Sequence, residues 1–214
     1  MSSSHSLLRQ IKTLRDLLLE MTDLVDAQFA HAVDALLNRD LELAEEVVAR
    51  DDEVDALELD IDGQCERILA LYQPVAVDLR MLIVAVKVNT DLERMGDHCK
   101  NMARNTKHVQ HAPEALERAR LREMADTSRQ MLHKVQDAFL KRDRVLARRV
   151  LAMDKQVDRL HEENFYALVE HAKHHPEQAE PVAHLITASK ALERISDHAK
   201  NIAEGVVFLI EGVD

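Results

Sequence analysis

The chain has no tryptophan, two tyrosines, four glycines and four prolines. Set against abundant Leu, Ala, Val, Glu, Asp, Lys and Arg, that shortage suits long helices and little sheet, so the sequence reads as all-helical. Its two cysteines, Cys65 and Cys99, fall at apolar helix positions without paired spacing, which argues against a disulfide framework and for a reducing compartment. No apolar run approaches the ~20 residues of a membrane span, the longest being Met81–Val86. The N-terminal MSSSHSLLRQIK lacks the order of a secretory signal, so a soluble cytoplasmic protein is expected. Excess basic charge is missing too. A net charge of −11 argues against nucleic acid as partner and favours a bound cation over a bound anion.

What the chain does have is a repeat. LERMGDHCKNMA at 92–103 returns as LERISDHAKNIA at 192–203, with eight of twelve positions identical. Each copy places two carboxylates four residues apart, Glu93 with Asp97 and Glu193 with Asp197, on one helical face. Like charges at that spacing repel, so something must compensate them.

Apolar periodicity predicts helix one over 5–37, ended by Asn38-Arg39-Asp40 with Asp40 as the next N-cap. Helix two is expected over 41–72, ended by Gln73-Pro74, and helix three from Val75 to about Val109. Ala35–Asp40 is answered 103 residues later by Ala138–Asp143, predicting helix four over 114–141 and helix five from 144 to the His174-His175-Pro176 break. Helix six follows, to about Ile210. Three helices twice over predict two tandem three-helix bundles, residues 1–111 and 112–214.

Two further acidic pairs, Asp51 with Asp55 and Asp154 with Asp158, lie on helices two and five, again 103 apart. If helices two and three form an antiparallel hairpin about Pro74, Asp55 and Glu93 both lie 19 residues from the turn, and Asp51 and Asp97 both lie 23. Asp158 with Glu193 and Asp154 with Asp197 share one midpoint in the same way. The acids flank the apolar stripes, so they are expected to line a groove at the bundle surface. Four convergent carboxylates form a hard oxygen site suited to Mg, Mn, Ca or Fe. The plainer alternative is solvated helix faces, with Asp97 paired to Lys100 and Asp197 to Lys200 along their own helices. His161, three residues after Asp158, is the histidine placed to join a site. His98 and His198 point to another face, as surface or interbundle residues, and His171, His174 and His175 read as a polar helix end. Arg94, Arg194, Asn101 and Asn201 adjoin the acids as candidate orienting groups.

The run QPVAVDLRMLIVAVKVNTDLERMGDHCKNMA at 73–103 resembles the signature of the PhoU family, the accessory regulators of bacterial phosphate-specific transport, and ALERISDHAKNIA resembles its second copy. The likeness spans nearly the whole chain. It departs at Ser196, where glycine is frequent as at Gly96, and at Met21-Thr22, where Met-Gly is common. The resemblance implies two three-helix bundles with surface metal clusters on Asp51, Asp55, Glu93, Asp97, Asp154, Asp158, Glu193 and Asp197, loaded with Fe, Mn or Mg. It also implies a non-enzymatic protein that contacts the phosphate ABC transporter ATPase and the phosphate-sensing histidine kinase, restraining both, as a homodimer that reaches the membrane only through those partners. A carboxylate-bridged di-metal enzyme and a metal-free scaffold stand as alternatives. The former typically needs Glu three residues before His, a spacing absent from this sequence.

Overall fold

The structure, a computed structural model, describes residues 3–212. Eight helices account for nearly all of them: α1 Ser3–Asn38, α2 Leu41–Ala49, α3 Asp51–Tyr72, α4 Ala76–Asn105, α5 Pro113–Arg118, α6 Leu121–Lys141, α7 Arg144–His174 and α8 Ala179–Glu211. Short 3-10 turns at Thr106–His108 and Pro176–Gln178 complete the order. No helix among the described residues is long and apolar enough to cross a membrane.

The repeated junction is built as its residues dictate. After α1 the Arg39 backbone turns left-handed (φ 58°), and Asp40 N–H reaches back to Ala35 O at 2.8 Å. After α6, Arg142 does the same (φ 50°) and Asp143 N–H meets Ala138 O at 2.9 Å. These bonds satisfy carbonyls that a helix end otherwise orphans. The aspartates then cap the next helix, Asp40 accepting from Leu43 N–H and Asp143 from Val145 and Leu146 N–H.

Two expected helices are interrupted. The predicted 41–72 helix breaks at Arg50 (φ −81°, ψ −6°), where the acids Asp51-Asp52-Glu53 open α3. Three successive carboxylates suit a helix N-terminus and its positive dipole end better than a helix interior. The matching stretch of α7, Asp154-Lys155-Gln156, is less acidic and stays continuous. The predicted 114–141 helix breaks at Ala119, which is extended (ψ 133°), and Asn164 Oδ1 accepts the Arg120 N–H at 2.7 Å. Pro113 begins α5 rather than only marking a boundary, as suits a residue without an N–H.

The first bundle is α1, α2–α3 and α4, and the second is α6, α7 and α8. They lie side by side: α4 packs against α8 and α1 against α6, and the buried side chains of both merge into one core. Leu14, Leu18, Met21 and Phe29 of α1, Leu92, Met95 and Met102 of α4, and Met131, Leu192 and Ile195 of the second half are all enclosed. His98 and His198 meet in the α4–α8 seam with rings 5.6 Å apart, as the interbundle reading expects.

Asp26 of α1 ties this seam from the other side. It accepts hydrogen bonds from Arg129 Nε (2.9 Å) and Nη2 (2.8 Å) and lies 2.8 Å from His133 Nε2. Burial alone would raise the Asp26 carboxyl, but the Arg129 hydrogen bonds and the charge of His133 outweigh it and hold it below the usual carboxylate range. A carboxylate with a depressed folded-state pKa contributes stability that is fully present above its unfolded value, about 4, and is lost as pH falls through the folded value. Asp26→Ala should therefore lower unfolding free energy by about 1–3 kcal/mol at neutral pH. In urea titrations, the gap between wild type and variant should close below about pH 4; a gap independent of pH would refute this role.

Candidate metal centre

Each acidic row is held between two long helices of one bundle. In the first half, Asp51 and Asp55 occupy the opening turns of α3, and Glu93 and Asp97 stand on α4. Burial, then the charge of Asp51, raises the Asp55 carboxyl above its ordinary value, with Asp97 adding to the effect. Burial and then Asp97 raise Glu93, which also feels Glu58 and Asp55. In the second half, burial raises Asp158, followed by the charges of Asp154, Glu193 and Asp197. All eight predicted residues thus fall into the two groups expected from the hairpin register.

Depth is where expectation and structure part. The acids are not all at the surface: Asp55 and Asp158 are exposed, but Asp51 and Asp154 are only 2% and 4% exposed. Lys100 and Lys200 do not serve chiefly as along-helix partners of Asp97 and Asp197. They reach across the hairpin, Lys100 Nζ to Asp51 Oδ2 and Lys200 Nζ to Asp154 Oδ2, the latter at 2.6 Å. A buried carboxylate needs a counter-charge, and the nearest flexible cation supplies it.

Arg94 Nε stands 3.5 Å from Glu93 Oε2, while Arg194 Nη1 donates to Asp197 Oδ2 at 3.3 Å. Lys190 Nζ lies 2.6 Å from Glu193 Oε2. Asn201 does not serve the row, since its amide donates to Asp91 Oδ1 (3.2 Å) in the seam, beside His198. Asn101 is exposed. His161 faces Glu193 and Asp158, and its Nδ1 lies 2.9 Å from Ser189 Oγ. Of the expected polar end, His171 is buried, with Nε2 2.9 Å from Gln178 Oε1.

Glu58 was missed by the pairing argument. Its carboxyl is raised by burial first, then by Asp62 and Asp55, so it extends the first row along α3. The 103-residue offset that maps Asp55 onto Asp158 maps Glu58 onto His161, the signal that would have found it.

The two halves differ at their buried aspartates. Gln28 Nε2 donates to Asp51 Oδ1 at 3.1 Å, whereas Asp154 Oδ1 is enclosed without a partner. The same offset places Met131 where α1 has Gln28, so the second half lacks the donor. Gly96 lets α4 come close here: a Cβ at that position would stand 3.3 Å from Gln28 Oε1 and from Val54 Cγ1. In the second half, Ser196 Oγ instead donates to Ser128 Oγ at 2.8 Å.

These residues fit a hard cation by chemistry: the donors are carboxylate oxygens, their repulsion is only partly compensated, and Asp154 Oδ1 is buried without a donor. Yet the lysine ammoniums stand where a cation would neutralise the inner aspartates. Among the described residues, neither row brings three ligand atoms within 4.8 Å of one another; the group that does is His108, Glu180 and His184.

Tandem three-helix bundles with an acidic groove in each define a duplicated all-helical protein. The PhoU domain family matches residues 18–106 and 121–206, and the chain belongs to that family, one of non-enzymatic regulators. It is 37% identical over 206 residues to a phosphate-specific transport system accessory protein PhoU homolog of Pseudomonas aeruginosa, covering 96% of this chain and 85% of that protein. A homolog of the same description from Aquifex aeolicus is 34% identical, over 96% of this chain and 93% of the relative. The crystal structure of PhoU from Pseudomonas aeruginosa superposes with a TM-score of 0.88 at 36% identity, covering 96% of this chain and 99% of that one. That of the phosphate transport system regulatory protein PhoU from Streptococcus pneumoniae gives 0.87 at 27%, covering 97% and 99%.

Removing Lys200 leaves Asp154 buried with neither a counter-charge nor a donor. Because Lys200 is itself 38% exposed, Lys200→Met should cost about 2–3 kcal/mol of stability in metal-free protein, less than the 3–5 kcal/mol typical of a fully enclosed pair. Urea denaturation in chelator measures this, and an unchanged midpoint would show that the ammonium does not compensate the aspartate.

Proposed function

We propose that this protein limits phosphate uptake and holds down phosphate-starvation signalling as a non-catalytic adaptor of the cytoplasm. In this reading it contacts the ATPase subunit of the phosphate ABC transporter and the phosphate-sensing histidine kinase, and acts as a homodimer. The observation that carries the proposal is the likeness to phosphate-transport accessory proteins over 96% of this chain, with the family match spanning both hairpins. Exposed Leu71, Val75, Val77 and Ile83 around the α3–α4 turn offer apolar surface of the kind that partner contacts use.

In the same reading, Asp51, Asp55, Glu93 and Asp97, with Asp154, Asp158, Glu193 and Asp197, hold Fe, Mn or Mg ions. Support comes from the all-oxygen donor set and the raised carboxyls of Asp55, Glu93 and Asp158, lifted by burial first and by neighbouring carboxylates after it. A bound cation would relieve that repulsion, and the lysines would have to yield the inner aspartates to it.

Deleting the gene should raise phosphate uptake and alkaline phosphatase at high phosphate; unchanged levels of both would remove the regulatory reading. For the metal rows, Mn2+ or Mg2+ should raise the melting temperature of chelated protein. Glu93→Ala/Asp97→Ala should retain less metal on elemental analysis, and equal content in variant and wild type would dismiss the first row.

A further inference from the structure

A different constellation lies where the end of the first bundle meets the start of α8. His108 closes the 3-10 turn after α4, and Glu180 and His184 sit one turn apart on α8. Their ligand atoms all lie within 4.8 Å of one another, and His108 Nδ1 is 3.8 Å from Glu180 Oε1. The His108 and His184 rings stack at 3.8 Å and 5°. In a neutral imidazole one nitrogen carries the proton and the other a lone pair.

Asn105 settles which nitrogen of His184 is free. Its Nδ2 donates to Asn101 O at 3.0 Å, so its Oδ1 faces His184 Nδ1 at 2.7 Å and must accept from it. The proton therefore sits on Nδ1, and Nε2 carries the lone pair. An amide oxygen holding one ring nitrogen so that the other can ligate is the support that protein metal sites commonly use.

We propose that His108, His184 and Glu180 form a site for a divalent transition metal of the zinc class, clamping the two halves together. Two imidazoles and one carboxylate suit Zn2+, Co2+ or Ni2+ and do not suit Mg2+ or Ca2+, so the site is chemically distinct from the acidic rows. Zinc bond lengths of about 2.0–2.1 Å put tetrahedral ligand atoms roughly 3.3 Å apart. A metal lies in the plane of each imidazole that binds it, so His108 must turn out of the parallel stack while Asn105 holds His184, and Glu180, with its side chain 77% exposed, swings in to complete the set. The fourth position is left to water.

The test uses the full chain, stripped with chelator and loaded with Zn2+ or Co2+ in excess Mg2+ to occupy the hard carboxylate rows. One zinc per chain should remain after dialysis, with Co2+ giving the visible absorption of four-coordinate nitrogen ligation. Both should disappear in His108→Ala/His184→Ala and persist in Glu93→Gln/Glu193→Gln. Because the histidine double variant also removes the ring stack, Glu180→Gln, an exposed and conservative change, provides a second check and should weaken zinc binding by at least tenfold. Asn105→Ala should keep the stoichiometry and weaken affinity about 10–100-fold. Unchanged zinc content and Co2+ absorption in the histidine variant, or zinc lost only in the Glu93→Gln/Glu193→Gln protein, would overturn the proposal while leaving the reading of the acidic rows intact.

Discussion

Repulsion among carboxylates crowded into a hairpin groove is the constraint around which each half of this protein is arranged. Four acids from two helices cannot be brought level in a partly dry groove without an opposing positive charge. Lys100 and Lys200 supply part of it from within the motif, each reaching over its own groove to the most buried aspartate. Burial, and after it the neighbouring carboxylates, keep the carboxyls of Asp55, Glu93 and Asp158 raised, and Arg94 and Arg194 stay largely in solvent. The motif therefore encodes both the charge and half of its neutralisation, which explains why lysine accompanies the acids in both copies.

The seam between the halves follows from the same helices. With residues 93 and 97 turned towards α3, residue 98 one step on must face elsewhere, and in both copies it faces the other bundle. His198 and Asn201 share Asp91 there, so a polar cluster lies in a seam that is otherwise apolar. On the far side, Asp26 with Arg129 and His133 performs the matching task between α1 and α6. Polar groups confined to fixed points of an apolar seam set the register of two surfaces that could otherwise slide.

Much of this was legible in the sequence. The duplicated motif, the 103-residue offset and equal distances from a proline turn gave six long segments and both acid foursomes, because helical spacing and hairpin geometry are local rules. Apart from the Arg50 break, which the adjacent Asp51-Asp52-Glu53 run explains, what failed depends on side chains distant in sequence. The break at Ala119 depends on Asn164, 44 residues away from the amide it captures. The lysine pairing was read along the helix because spacing alone favours it; burial of Asp51 and Asp154 redirects it across the groove. Glu180 and His184 keep helical spacing on α8, but His108 lies more than seventy residues earlier, so the site joins the end of one repeat to a helix of the other and spacing does not reveal it.

The halves have diverged at their deepest point, and the divergence has a direction. In the first, Asp51 receives both a lysine and the Gln28 amide, made possible by the close approach that Gly96 permits. In the second, methionine occupies the Gln28 position, Ser196 turns to Ser128, and one oxygen of Asp154 is left with nothing. His161 there replaces the carboxylate of Glu58, so the second row carries fewer acids yet a less satisfied buried one. A buried acceptor without a donor costs more than an exposed charge beside another. The demand for an incoming cation is therefore diffuse in the first half, spread along Asp55, Glu58 and Glu93. In the second half it joins the donorless Asp154 oxygen to the raised carboxyl of Asp158.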